Sequence, residues 1–168
     1  MSKAIAQGTS TSHGDTLVLR FALYLPHGVE KVWGAVATPV GLPGWLAAVD
    51  VFESRLGGRI ALRRPGDPAA SGIVTAWDVG HVAEYTVSVH GRIRFHLESV
   101  GPEASVVRFT NERAVARELR PDLLACWHQR FEFLHDALDG NPRDWSVPGR
   151  ERRRELRELY ESVCVRQS

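Results

Sequence analysis

The 168-residue sequence predicts an α+β domain: a curved antiparallel sheet, two short helices, one long C-terminal helix and an extra C-terminal amphipathic helix. Spacing of the extended segments sets the sheet at about seven strands. Three observations carry this. Apolar and polar residues alternate with period two in short segments between residues 16 and 112, with turn residues between them. From Pro121 onward the period changes to that of a helix. A sheet with one apolar face and a helix with one apolar stripe must bury these against each other.

Thr16–Leu25 opens the pattern, with Leu17, Leu19, Phe21, Leu23 and Leu25 on one face of a strand. Pro26-His27-Gly28 breaks it. Val29, Val32, Trp33 and Val36 then form one helical stripe, which Thr38-Pro39 ends because a residue before proline avoids the helical region. Leu42–Leu46 is a second short helical turn started by Pro43. Strands follow at Val49–Ser54, Arg59–Arg63, Ser71–Asp78, Val82–Val89, Arg92–Val100 and Ser105–Glu112. In Arg92–Val100 the residues Arg92, Arg94, His96 and Glu98 alternate with Ile93, Phe95 and Leu97, so one face meets water and the other a core. Leu124, Trp127, Phe131, Leu134 and Leu138 form the stripe of the long helix, with Pro121 in its first turn and Gly140 at its end.

A chain this long buries roughly 70% of its unfolded surface and needs no disulfide or metal to hold a core. The formal net charge of +1 provides no global field for nucleic acid or an anionic membrane, and neither is expected as a partner. No apolar run reaches membrane-spanning length. Residues 1–14 lack the apolar stretch of a signal peptide and are expected as a flexible polar leader. Cys126 and Cys164 form no disulfide framework, which fits a reducing, cytoplasmic setting. The domain proper is expected at 15–140, with a linker and amphipathic extension at 141–168.

The order and spacing of several segments resemble the START-like (SRPBCC, helix-grip) superfamily. Within it they resemble the branch named after the activator of the heat-shock protein 90 ATPase. The matching residues are Val29-Glu30-Lys31-Val32-Trp33, Thr38-Pro39, Trp45-Leu46, Gly57-Gly58, Gly72-Ile73-Val74, Glu84-Tyr85-Thr86, Ile93–Glu98 and Cys126-Trp127-His128, leading to Phe131, Leu134, Leu138 and Gly140. The sequence departs from the family pattern at Cys126-Trp127, where Gly-Trp is usual, at Thr110-Asn111, where Thr-His is usual, and at Val87, where a Trp is frequent. The resemblance implies a small hydrophobic ligand held between the long helix and the sheet. Its lining would come from Trp45, Tyr85, Phe95, Phe109, Trp127 and Phe131, unless these aromatics simply fill the space.

Candidate acid–base residues are Tyr85 and His128, with Arg94 a more remote one. His90 and His96 fall on one strand face, but no third ligand at metal spacing accompanies them, so no metal is expected. There is no Gly-x-Ser-x-Gly, P-loop or dinucleotide fingerprint, and no cofactor is expected. Arg59, Arg63 and Arg64 make a basic strand edge that suits either an anionic ligand or protection of the sheet edge. In the extension, Leu156, Leu159, Tyr160 and Val163 make a helical stripe behind an arginine-rich start interleaved with glutamates. That helix, residues 150–165, either packs back on the domain or meets a dimer mate or protein partner. Three functions follow in order: a hydrophobic-ligand-binding module, a cofactor-independent cyclase/aromatase-like enzyme acting on a polyketide-type metabolite, and a co-chaperone-like interaction module.

Overall fold

In the computed structural model, which describes residues 5–166, one sheet grips one long helix. The strands are β1 (Thr9–His13), β2 (Thr16–Leu25), β3 (Ala48–Phe52), β4 (Arg59–Arg63), β5 (Ala70–Asp78), β6 (Val82–Val87), β7 (Gly91–Gly101) and β8 (Ala104–Ala114). The helices are α1 (Val29–Val36), α2 (Arg120–Leu138) and α3 (Arg150–Arg166), with short 3-10 turns at Leu42–Gly44 and Arg117–Leu119. The sheet order is β1-β2-β8-β7-β6-β5-β4-β3, antiparallel throughout. From β3 to β8 it is a simple meander. The connection through α1 and the Leu42–Gly44 turn carries the chain from β2 to the far edge.

Period two explains which faces are buried. Leu17, Leu19, Phe21, Leu23 and Leu25 of β2 are at most 3% exposed, whereas Tyr24 is 67% exposed. On β7, Ile93, Phe95 and Leu97 face the core, and the alternate residues make ion pairs across the outer face. Arg94 reaches Glu84 at 3.1 Å, Arg108 reaches Glu98 at 2.5 Å, and Arg92 pairs with Glu112. These are mainly solvent-side contacts of small energetic value. Register shifts in β3, β5 and β7 mark bulges, which bend the strands they interrupt.

The sheet has eight strands among the described residues, one more than expected. The extra strand, β1, lies inside the segment expected to be a flexible leader. It pairs with β2 from Thr9↔Arg20 to His13↔Thr16. Residues 1–4 of that segment lie outside the described residues, as do 167 and 168.

α2 is buried on two sides. Leu124, Trp127, Phe131, Leu134 and Leu138 meet the sheet, while His128, Gln129 and Glu132 are covered by α3. Its end is closed by Gly140 at φ 89, with Asn141 N–H donating to the Asp136 carbonyl at 2.8 Å. α3 packs back on α2 through Leu156 and Tyr160, both at most 2% exposed. Arg152 clamps the Glu132 carboxylate at 2.7 and 3.0 Å, and Arg157 pairs with Asp122. Leu159, expected in the same stripe, is 39% exposed. Among the described residues, no helix is long and apolar enough to cross a membrane.

Candidate functional site

The six aromatic side chains expected to line a hollow occupy the centre of the domain. Trp45, Tyr85, Phe95, Phe109, Trp127 and Phe131 are each at most 1% exposed. They pack ring to ring: Phe109 lies 4.5 Å from Trp127 and 4.8 Å from Phe131, and Phe95 lies 5.3 Å from Phe109, centroid to centroid. Trp45 sits 5.9 Å from Phe95 and donates its indole N–H to the Ala35 carbonyl at 2.8 Å. Tyr85 donates its hydroxyl to the Val36 carbonyl at 2.8 Å. The rings are in mutual contact, as in the second of the two arrangements the sequence left open, in which these aromatics fill the space. Of the six, Trp127 borders the apolar cleft described next, and Phe109 borders a separate depression with Phe21 and Arg20.

That cleft opens where α2 passes the β4–β5 loop. Leu46, Ala47, Leu62, Ala70, Ile93 and Trp127 form its apolar floor, and Arg64, Asp67, Pro68, His90 and Arg130 its mouth. Its deep end is narrow, with about 20 Å³ open to the centre of a water molecule. It shares Arg64 and Asp67 with an outer basin of about 360 Å³ on the same measure, bordered also by Pro65, Arg143, Trp145, Pro148, Arg150 and Arg153.

The two candidate acid–base residues lie elsewhere. His128 is buried between α2 and α3, with Nδ1 2.7 Å from the Tyr160 hydroxyl. That hydroxyl also accepts the Gly8 N–H at 3.0 Å, and its hydrogen bond with His128 Nδ1 runs in the direction that the imidazole tautomer sets. Burial keeps the His128 pKa below its ordinary value and raises that of Tyr85, so each favours its neutral form. His128 and Tyr85 are thus pins between elements, and neither borders the cleft. Arg94 lies on the outer face with Glu84, as its place in the alternation predicts.

Of the polar groups at the cleft, the sequence pattern offers Arg64 for an anionic ligand and His90 beside His96, but it does not single out Arg130 or Asp67. Arg130 is 5% exposed and has no hydrogen bond or ion pair among the described residues. Its guanidinium lies over the Trp127 ring at 4.4 Å. Burial, then Arg64, push its pKa down, though a guanidinium stays charged at neutral pH. His90 also borders the cleft, with Nδ1 buried and unpartnered. Burial and the charges of Arg130, Arg113 and Arg64 pull its pKa down to about 4. His90 and His96 do not share a face. Val89 at φ 71 and Gly91 at φ 72 break the extended alternation, turning His90 inward, while His96 remains on the outer face.

Asn111 stands where the family pattern has His. It is fully buried, donates to the His90 and Arg92 carbonyls at 2.8 and 3.0 Å, and accepts the Trp127 indole N–H at 3.1 Å. It therefore ties β8, the β6–β7 turn and α2 together at the floor of the cleft. Among the described residues, no three His, Cys, Asp or Glu side chains come together as a metal-ligand set. Arg59 and Arg63 are occupied by Glu53 and Asp50, and β3 rather than β4 is the sheet edge.

No family model matches the chain, and no curated protein matches it. Solved structures do match. CalU16 from Micromonospora echinospora aligns with a TM-score of 0.73 at 15% identity, covering 96% of this chain and 98% of that one. The Aha1 dimer from Colwellia psychrerythraea aligns at 0.59 and 21% identity, covering 72% and 95%. DynU16, from the dynemicin biosynthetic locus, aligns at 0.64 and 15% identity over 74% of this chain and 48% of that chain. These likenesses, all at 21% identity or below, show the fold alone: one antiparallel sheet wrapped around a long helix, with α3 packed behind that helix.

Proposed function

We propose that the chain binds a small hydrophobic molecule in the cleft between α2 and the β4–β5 side of the sheet. The observation that supports this most is the apolar floor of Leu46, Ala47, Leu62, Ala70, Ile93 and Trp127, beside an open basin that shares Arg64 and Asp67 with it. Apolar walls with a few convergent polar groups are the usual make-up of small-molecule sites. The packed rings of Trp45, Tyr85, Phe95, Phe109 and Phe131 form the rigid backing of this floor. Because the deep end has room for little more than a water, a guest enters as the loop of residues 64–69 moves outward. Pro65–Ala69 of that loop are exposed.

Binding is favoured over a cyclase-like reaction because Tyr85 and His128 are each committed to a structural hydrogen bond away from the cleft. The matched motifs and the likeness to the Aha1 dimer support the branch named after the heat-shock protein 90 ATPase activator. The co-chaperone role of that name is a separate reading, to which the cleft does not speak.

Calorimetric titration of the full chain with decanol tests the proposal, beside Ala47→Leu, which fills the void. Saturable binding to the native chain is expected, weakened about tenfold or more in the variant. Absence of saturable binding to the folded native chain would contradict it.

A further inference from the structure

The mouth of the cleft carries an imbalance of charge that a purely apolar guest would leave unused. Arg64, Arg130, Arg143, Arg150 and Arg153 border the cleft and its basin, and Asp67 is the one carboxylate among the bordering residues. Three of these guanidiniums hold buried N–H groups without an acceptor: Nε of Arg64, Nε of Arg130, and Nε and Nη1 of Arg143. Unsatisfied buried donors are costly and rare in folded proteins. Arg130 is the extreme case, 95% buried by its 5% exposure and without a counter-ion. Its position is held by Trp127 beneath it, as that of Arg143 is held between Phe133 and Trp145, each ring 4.1 Å from the guanidinium carbon. The aromatic contacts fix the cations while leaving their donors free.

From this arrangement we infer that the guest is an amphipathic organic anion. Its apolar part lies on the Trp127 floor and its carboxylate or phosphate is received by Arg130 and Arg64, with Arg143 and Arg153 behind them. The inference rests on the cleft being the binding site. Guanidiniums suit both groups because their paired N–H donors match two oxygens at once. An arriving anion satisfies the orphaned donors and relieves the repulsion among the arginines. Asp67 opposes it, and its exposed place on the 64–69 loop lets it swing away as the loop opens.

The test is titration of the full chain, at fixed ionic strength, with decanoate, decyl phosphate, decanol and inorganic phosphate. Arg130→Met and Arg64→Gln are run alongside. Expected is binding of at least one amphipathic anion about tenfold or more tighter than decanol. In both variants affinity for the anion falls by about tenfold more than any change in decanol affinity, so the preference is lost. Arg130→Met alone also melts higher than the native chain without ligand, because a buried uncompensated charge has been replaced by an apolar side chain. The tighter of decanoate and decyl phosphate identifies the headgroup. Equal affinity for decanol and both anions would overturn the anion site and leave the apolar cleft standing. Stabilisation by inorganic phosphate with no decanol binding would do the reverse. Binding of none of the four overturns both, and an anion preference that survives in both variants overturns the assignment to Arg130 and Arg64.

Discussion

The His128 imidazole and the Tyr160 hydroxyl meet 2.7 Å apart in the seam between α2 and α3. This contact decides what each residue is for. The Tyr160 hydroxyl contacts both the Gly8 N–H and His128 Nδ1, joining the N-terminal segment, the long helix and the C-terminal helix at one point. Burial raises the Tyr160 pKa to about 12, so the hydroxyl keeps its proton at all ordinary pH. Tyr160→Phe is expected to leave the Gly8 N–H and His128 Nδ1 unpaired and to cost about 1–3 kcal/mol in urea unfolding. Its decanol affinity should equal that of the native chain.

α3 is held by packing as well as by charge. Leu156 is 2% exposed against α2. Leu156→Ala should lower the unfolding free energy by about 2–4 kcal/mol. Arg157→Ala, which breaks an exposed pair with Asp122, should cost less than about 1 kcal/mol. Chemical denaturation of the two variants side by side checks the contrast. Equal losses would mean that the surface ion pairs hold the helix.

His90 makes stability depend on pH in a stated direction. Its folded pKa of about 4 lies below its ordinary 6.5. Between these values the unfolded chain takes up a proton that the folded chain refuses, so stability falls as pH drops from 6.5 toward 4. The groups facing His90 are Arg130, Arg113 and Arg64, which oppose its protonation, and Asp67, which favours it. His128, also lowered by burial, acts in the same direction. Replacing His90 with Gln should flatten the melting-temperature profile over this window without flattening it below. An unchanged profile would place the dependence on His128 alone.

Val89 is the sole described residue other than glycine at positive φ, at 71°, and it is 65% exposed. A β-branched side chain is strained there and gains little from packing. Val89→Asn, which tolerates the left-handed region, should raise stability by about 1 kcal/mol, measured by thermal and urea unfolding.

Much of the fold is legible in the sequence because alternation and helical spacing state directly which face is buried. β2 and β4 form over the very residues whose pattern predicts them, Thr16–Leu25 and Arg59–Arg63. β1 is invisible because Thr-Ser-Thr-Ser-His has no apolar residue to alternate; backbone pairing with β2 makes it a strand. The site is legible in fragments. Arg64 continues the inward parity of Ile60 and Leu62, and Arg130 sits three residues after Trp127 and four before Leu134, on the sheet-facing side of α2. Each is a charge at a core position, a signal that periodicity alone offers. His90 is hidden because the positive φ of Val89 and Gly91 reverses its facing. Nothing local announces that Arg64, Arg143 and Arg153 converge from three distant segments. That convergence belongs to the packing of α3 and its linker.

The claim on which the function rests is that a guest occupies the cleft beside Trp127. Methyl-resolved NMR of the full chain during a decanol titration tests it most directly. The account predicts saturable shifts concentrated on the methyl groups of Ala47, Leu62, Ala70 and Ile93, with those of Leu23 and Leu25, at the other end of the β2–β8–β7 ladder, unmoved. Shifts scattered over the surface, or none in those four residues while the chain stays folded, would contradict it.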